Sequence, residues 1–375
     1  MLIYLVISFW GVITLLYCVK FFQYGAVIPA PDITEPHKVS MDASARVTLL
    51  IPVRNEEKNL PHIQHDLSLQ DYPNDLFEII YINDHSTDSS LELIKQFSKE
   101  QSQVKNFSLP HDQQGKKCAL RLGVIMATYK YVIQTDADCR LNSSFISAHV
   151  SAIKNGYQLS AGPVRYHIGT GVFSKVEALE FYSLAGITAG SILKGKPVLC
   201  NAANLSYSAT LFTDAFPYLK DRRHPSGDDV FLLEYAVKKQ LNIAFIQHPM
   251  AVVETRGAGN LQAFINQRIR WGSKAKYYSN PALLTLGVLV YMMNLMIVAA
   301  VAFSMFNPYF WVYTALFFFL KFLADGFYLL KYVRLMKQQS LMFYFPIMAL
   351  LYPVYLIIMG CITAFTRFSW KNREY

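Results

Sequence analysis

The sequence predicts an α/β fold: a doubly wound, mainly parallel sheet with one N-terminal and about three C-terminal transmembrane helices. Three observations lead there. Apolar residues make up 53% of the 375-residue chain and charged residues only 16%, too apolar for a simple soluble protein, and the apolar residues concentrate at the two ends. Between the ends, buried-strand runs alternate with stretches of helical periodicity. Polar clusters follow directly on the strand runs, at the edge where sheets of this kind bind ligands.

The first apolar run, Met1 to Cys18, carries no charge and continues past Lys20 through Phe21 and Phe22 to about Val27. That length spans a bilayer core of roughly 30 Å as a helix. A cleaved signal peptide is the alternative, but no Lys or Arg precedes the run and it exceeds a usual signal stretch, so residues 1–27 read as a retained anchor. From Tyr277 to Leu320 there is again no charge, and Asn307-Pro308 interrupts the run where a turn between two spans belongs. Spans are expected near Leu283–Phe303 and Tyr309–Leu330, and a third over Leu341–Phe365 after the basic stretch Lys331, Arg334 and Lys337. Residues 280–366 thus form a membrane region and 367–375 a tail.

Basic residues are retained on the cytoplasmic side. If every segment spans, Lys20, the basic region before Tyr277 and the Lys331–Lys337 loop share that side, while Arg367, Lys371 and Arg373 land opposite. That conflict leaves the last segment open to being re-entrant or interfacial. The expected setting is an integral protein of the cell or plasma membrane with residues 46–275 in the cytosol. The net charge of +9 suits anionic headgroups, phosphorylated substrates or nucleic acid without choosing among them. Five scattered cysteines without C-x-x-C spacing indicate neither a disulfide framework nor a zinc site.

Within residues 46–275, Val47–Val53 is a buried-strand run, and Leu60, Ile63 and Leu67 recur at helical spacing. Phe77–Ile82 is a second strand, followed by a helix with Leu91, Ile94 and Phe97 on one face, and Tyr131–Thr135 is another strand. Pro52-Val53-Arg54-Asn55-Glu56-Glu57 follows the first strand and Asn83-Asp84-His85-Ser86-Thr87-Asp88 the second, where a nucleotide would dock; the second loop also reads as a helix cap. The third strand leads into Thr135-Asp136-Ala137-Asp138. Alternate residues of an extended segment point the same way, so the two carboxylates can face one hard cation such as Mg²⁺ or Mn²⁺, which also bridges to a diphosphate.

Gly227-Asp228-Asp229 precedes an apolar helix, Val230 to Leu233. It reads either as a helix cap with favourable dipole charge or as a source of a general base. Gln267-Arg268-Ile269-Arg270-Trp271, with Lys274 and Lys276, forms a basic aromatic helix before the membrane run. In isolation it reads as a headgroup anchor; an Arg beside a leaving diphosphate is the alternative.

Taken in order, these segments resemble the inverting family 2 glycosyltransferases of the GT-A fold, in particular the membrane-bound branch with ceramide glucosyltransferase, hyaluronan synthase and cellulose synthase. The resemblance covers about residues 46–275. It implies that Pro52, Arg54 and Glu56 line the nucleoside pocket, although the family often has Tyr or His in place of Arg54, and that Asp84 reads the base, usually uracil. Asn83 replaces the commoner first Asp of that pair. Gly115-Lys116-Lys117-Cys118-Ala119-Leu120 resembles the family's G-K-x-x-A-L segment and makes Lys116 a phosphate or nucleoside contact, with a solvated surface lysine as the alternative. Asp136 and Asp138 match the metal-binding D-x-D, Asp138 as the direct ligand. Asp229 matches the catalytic base, with Asp228 before it, and Gln267, Arg270 and Trp271 match Q-x-x-R-W, associated with the diphosphate and the acceptor end. Cys200-Asn201-Ala202-Ala203-Asn204 resembles a G-x-N segment near the acceptor, with Ala202 where Gly is usual.

The reaction implied is a metal-dependent inverting displacement, with the hydroxyl activated by Asp229 and a nucleotide diphosphate leaving near Arg270. The partners implied are a nucleotide diphosphate sugar donor, a bilayer, and a membrane lipid or growing glycan as acceptor, with no nucleic acid. A polymer channel needs enough helices to surround a hydrated chain, and about four spans form a thin wall, which favours a lipid acceptor over a processive polysaccharide synthase. An oligomer could still build a channel. A catalytically inactive nucleotide-sugar-binding protein is the third reading. Lys321 and Asp325, at i and i+4 within a span, either line a path or neutralise each other.

Overall fold

Apolar residues dominate Val47–Val53 and Phe77–Asn83, and both segments are buried over almost their whole length, as strands covered on both faces must be. They are β1 and β2 of a computed structural model that describes residues 2–29, 45–221, 227–365, 369–370 and 373–374. In chain order, α1 (Leu2–Val27), β1 (Val47–Val53), α2 (Leu60–Ser68), β2 (Phe77–Asn83), α3 (Ser90–Glu100), β3 (Val104–Ser108), α4 (Lys116–Met126), β4 (Tyr131–Gln134) and α5 (Phe145–Lys154) come first. Then follow β5 (Leu159–Ala161), β6 (Val164–His167), α6 (Val172–Leu193), β7 (Leu205–Ser208), α7 (Ala209–Asp221), α8 (Asp228–Lys238), β8 (Ile243–Phe245) and β9 (Val253–Arg256). The chain ends with α9 (Leu261–Gly272), α10 (Pro281–Phe306), α11 (Trp311–Leu335) and α12 (Phe345–Phe365).

These elements form two compact units. One comprises Asp32–His167, Pro197–Arg256 and Ser369–Tyr375; the other comprises Met1–Pro31, Ile168–Lys196 and Gly257–Phe368. The first holds a seven-stranded sheet of order β3-β2-β1-β4-β7-β5-β8. β1 pairs in parallel with β2 from Val47↔Phe77 to Val53↔Asn83 and with β4 from Val47↔Tyr131 to Leu50↔Gln134. β7 runs antiparallel to both β4 and β5, so the sheet is mixed but mainly parallel, as expected. The strand order reverses between β1 and β4, the switch point at which open α/β sheets leave a crevice beyond their carboxyl ends. β6 and β9 form a separate parallel ribbon.

Leu60, Ile63 and Leu67 are buried along one face of α2, and Ile94 and Phe97 along α3, while Leu91 is only half-buried. Beneath α5 lies a buried polar knot. The Asn204 amide donates to the carbonyls of Pro163 (2.8 Å) and Ala251 (2.7 Å), and its Oδ1 accepts from His149 Nε2 at 2.9 Å. Burial pushes the His149 imidazole down to about 4 despite that hydrogen bond, so the ring is neutral at physiological pH.

The second unit is helical. Among the described residues, four stretches are long and apolar enough to cross a membrane: Tyr4–Val27, Pro281–Phe306, Pro308–Leu335 and Gln339–Thr363. The break at Asn307 is a short 3₁₀ turn, Pro308–Phe310, as the Asn-Pro pair predicts. The basic stretch is placed differently from expectation. Lys331 and Arg334 lie on α11, and only Lys337 lies in the turn, because nothing breaks the helix before Lys337 takes φ 56°. α12 is a continuous helix through Pro353. Of the tail, Arg367 and Lys371 lie outside the described residues. Lys321 and Asp325 pair with each other on α11, and Tyr17 of α1 donates to Asp325 at 2.7 Å. The two charges therefore neutralise each other inside the bundle.

Candidate active site

The loops after β1 and β2 are bound to one another. Arg54 Nη1 donates to the carbonyls of Asp84 (2.8 Å) and His85 (3.3 Å), and the Asn55 Oδ1 accepts from the Thr87 N–H at 2.8 Å. The Glu56 N–H donates to Ser90 Oγ at 2.8 Å, and Glu56 Oε2 accepts from Asn59 at 2.6 Å. Asn55 and His85 both adopt φ 53°, a left-handed conformation that Asn tolerates better than most residues. Pro52 lies within β1 opposite Ile82, one residue before the last pair of the ladder, Val53↔Asn83, and just before this clasp. The cap position of α3 is Ser89, which makes no side-chain cap; Asp88, one residue earlier, accepts from the Ser90 N–H at 3.1 Å through Oδ1.

Asp84 is buried, and its Oδ2 accepts from the Gly115 N–H at 3.1 Å. Gly115 has φ 94°, a conformation essentially closed to other residues, and it sets the chain into α4. The next residue, Lys116, is thereby aimed at the carboxylates. Its ammonium pairs with Asp136, and its side chain is only 17% exposed against 34% for Asp136. Burial opposes the ammonium charge, yet Asp136, Asp228 and Asp229 outweigh it and raise the Lys116 pKa well above the usual lysine range. The alternative of a solvated surface lysine is thereby corrected.

The acidic partners of Lys116 come from two distant segments. β4 ends at Gln134, so Asp136-Ala137-Asp138 lies in the turn beyond the strand rather than in it. Alternation nonetheless persists, with Ala137 and Cys139 buried while Asp136 and Asp138 face outward. Asp228 and Asp229 are the first two residues of α8; the cap position is Gly227, at φ 95°, with no side-chain cap. The cap reading of the two aspartates is therefore corrected to first-turn residues, whose charge the helix dipole favours. Asp228 is buried and accepts from Gln134 Nε2 at 3.3 Å, and Gln134 in turn accepts from the Tyr207 hydroxyl at 2.9 Å. Asp229 Oδ2 accepts from the Ala202 N–H at 3.2 Å and Oδ1 from the Val230 N–H at 2.8 Å. The turn with Ala202 in place of Gly is held by Asn201, whose Oδ1 accepts from the Ala203 N–H at 3.0 Å. Gln134 and Tyr207 were not legible as site residues, since neither stands in a motif.

Gln267, Arg270 and Trp271 lie on α9, in the helical unit. There the centre of the segment is Arg268, which pairs with Glu180 of α6, donates to Gln267 Oε1 and lies 4.2 Å from the Trp271 ring and 4.4 Å from the Phe264 ring. Tyr355 donates to the same Glu180 at 2.9 Å. Arg268 is 5% exposed and Lys274, just beyond α9, 8%, while Arg270 is half-buried and Lys276 exposed, so two of the four basic residues read as a headgroup anchor are instead turned inside the unit. Next to it, burial raises the Glu177 pKa, although the Ala258 N–H and Arg268 oppose the shift. Glu180 and Glu177 are not legible in the sequence as paired groups, because α6 reads as a largely apolar helix without a motif.

Among the described residues no group of three His, Cys, Asp or Glu side chains could hold a metal ion unaided. Asp136 and Asp138 supply hard oxygen donors, which fits an ion that takes one or two carboxylates and completes its shell with substrate phosphates.

Residues 48–206 match the family model described as Glycosyl transferase family 2. The chain is 26% identical over 121 residues to Glycosyltransferase AglE of Haloferax volcanii, covering 32% of this chain and 40% of that protein. It is 27% identical over 177 residues to poly-beta-1,6-N-acetyl-D-glucosamine synthase of Staphylococcus aureus, covering 46% of this chain and 41% of that one. The chain thus spans about two fifths of the length of these curated relatives. A mannosyltransferase from Pyrobaculum calidifontis, solved with GDP-Man and Mn²⁺, superposes with a TM-score of 0.52 at 15% identity over 92% of this chain and 96% of its own. Residues 48–206 thus resemble the glycosyl transferase family 2 model, the fold is GT-A-like, and among the described residues four helices are long and apolar enough to cross a membrane.

Proposed function

We propose that this chain is a membrane-bound inverting glycosyltransferase that moves a sugar from a nucleotide diphosphate sugar, a UDP-sugar by resemblance, to a hydroxyl of a membrane lipid. The observation that carries the reading is the meeting of Lys116 with Asp136, Asp228 and Asp229 beyond the sheet's carboxyl ends, in a chain whose residues 48–206 match the family 2 model. Asp84 reads the base, and Pro52, Arg54 and Glu56 shape the nucleoside pocket. Lys116, with Asp228 near it, compensates the charge of the departing diphosphate; the resemblance alone assigns Gln267, Arg270 and Trp271 to the diphosphate and acceptor end.

Asp229 accepts the proton of the acceptor hydroxyl as that oxygen bonds to the anomeric carbon. The sugar–phosphate bond breaks on the opposite face, and its electron pair leaves with the nucleoside diphosphate. Asp136 and Asp138 would hold Mg²⁺ or Mn²⁺, which when bound would neutralise charge on the diphosphate. Lys337 between two candidate spans, and Lys20 in the last turns of the first, support a cytosolic site.

A processive synthase is the second reading, favoured by the Staphylococcus aureus relative named above. Membranes containing the chain, incubated with a panel of labelled nucleotide sugars, should yield label in organic-extractable glycolipid. High-molecular-weight polymer would overturn the lipid acceptor. Absence of any product, with nucleotide sugars still bound, would overturn the transferase in favour of a binding protein.

A further inference from the structure

The helical unit carries an open cavity of about 550 Å³ at the turn that joins α11 to α12, where the start of α6 also contributes. Its polar wall includes Lys175, Lys337, Gln338 and Ser340, and its apolar wall includes Leu341 and Phe343. None of the described lining residues is acidic. Lys175 is held in place, donating to the Thr170 carbonyl at 2.9 Å and lying 4.9 Å from the Tyr344 ring, which leaves two of its three protons for another acceptor. Lys337 is exposed in the turn. Two cations on one cavity without a facing carboxylate favour an anionic occupant.

Position and apolar lining narrow the anion. One candidate span ends at Leu335 and the next begins at Gln339, so the cavity lies at the depth of a membrane interface. Phe343 is 81% exposed beside it, a large apolar surface with no use for an inorganic ion but one that matches the first methylenes of an acyl chain. We propose that this cavity binds a membrane phospholipid by its phosphate, with Lys175 and Lys337 on the phosphate oxygens and the chain running along Phe343 and Leu341. The site is independent of the transferase reading, since its readout is binding alone.

The test is native mass spectrometry of the full chain in detergent, titrated with phosphatidylglycerol, with diacylglycerol of the same chains, and with inorganic phosphate. Phosphatidylglycerol should bind at least tenfold more tightly than diacylglycerol. Lys175→Gln and Lys337→Gln should each weaken it about 5-fold, and together about 30-fold, while Lys95→Gln, on the exposed face of α3, leaves it unchanged. Equal binding of the two lipids, or no effect of the double variant, overturns the proposal. Inorganic phosphate that displaces the lipid at the lipid's own concentration overturns the lipid in favour of a free-phosphate site. If the double variant aggregates, a photoreactive phosphatidylglycerol on the unaltered chain should label residues 337–344; labelling confined to other segments overturns the proposal equally.

Discussion

Replacing Asp229 by Asn separates the chemical role of this carboxylate from its structural one. In the native site its two oxygens accept from Val230 N–H at 2.8 Å and Ala202 N–H at 3.2 Å. The amide keeps one acceptor but turns an NH₂ toward the other donor, losing a charge-assisted hydrogen bond of about 1.5–3 kcal/mol. It also loses about 0.3–1 kcal/mol of favourable charge at the head of α8. Relief of repulsion from Asp228 offsets part of this, so the structural cost is about 1–3 kcal/mol, against a typical domain stability of about 5–15 kcal/mol. The chain stays folded, with its melting temperature lower by several degrees at about 2–4 °C per kcal/mol. A lost general base, by contrast, lowers turnover by about 10²–10⁴-fold. The assay is release of nucleoside diphosphate from a donor panel in the presence of membrane lipid extract, run beside nucleotide binding and a thermal melt. Turnover within about threefold of the unaltered protein would refute the base assignment, and so would a loss that merely tracks a loss of folding or of nucleotide binding.

Chelation of divalent ions, or Asp138→Asn, should weaken binding of nucleoside diphosphate about tenfold or more, with Mn²⁺ restoring the chelated protein only; calorimetry without and with the ion checks this, and undiminished binding counts against the metal role of Asp136 and Asp138. Arg268→Met leaves Glu180 buried without its cation, with only the Tyr355 hydroxyl still donating, and should cost about 3–5 kcal/mol, while Glu180→Met combined with Arg268→Met should recover most of that loss in thermal melts. His149 titrates near 4 in the fold, against about 6.5 unfolded. The unfolded chain therefore binds the extra proton first, and stability is full above pH 6.5 and falls by roughly 3 kcal/mol as pH drops to 4. His149→Gln should flatten that part of the stability profile; an unchanged slope would assign it to other groups.

The elements that the sequence made legible are those whose cause is local. β1 and β2 announce themselves because a strand covered on both faces is apolar at most positions, with Thr48 and Glu78 hydrogen-bonded to each other as exceptions. α10 and the break at Asn307-Pro308 follow from transfer into lipid and from the helix-breaking ring of proline. The outward pair Asp136 and Asp138 is visible because alternation survives even where the strand has already ended. The end of α11 is not legible, because a basic stretch resembles a loop, whereas Lys331 and Arg334 are good helix formers that simply extend the helix.

Read alone, the chain determined its sheet class, its long apolar helices and the residue types of its candidate site, since periodicity and hydrophobicity act over a few neighbouring residues. Only the tertiary structure decided which charges meet. Lys116 faces three carboxylates because Gly115 turns α4 toward Asp84. Arg268 finds Glu180 across 88 residues of sequence, which changes the meaning of a helix that by composition reads as a membrane-surface anchor. Such pairings are set by packing of distant elements, and no local pattern encodes them, because a charge's partner is chosen by distance in space and by what burial excludes.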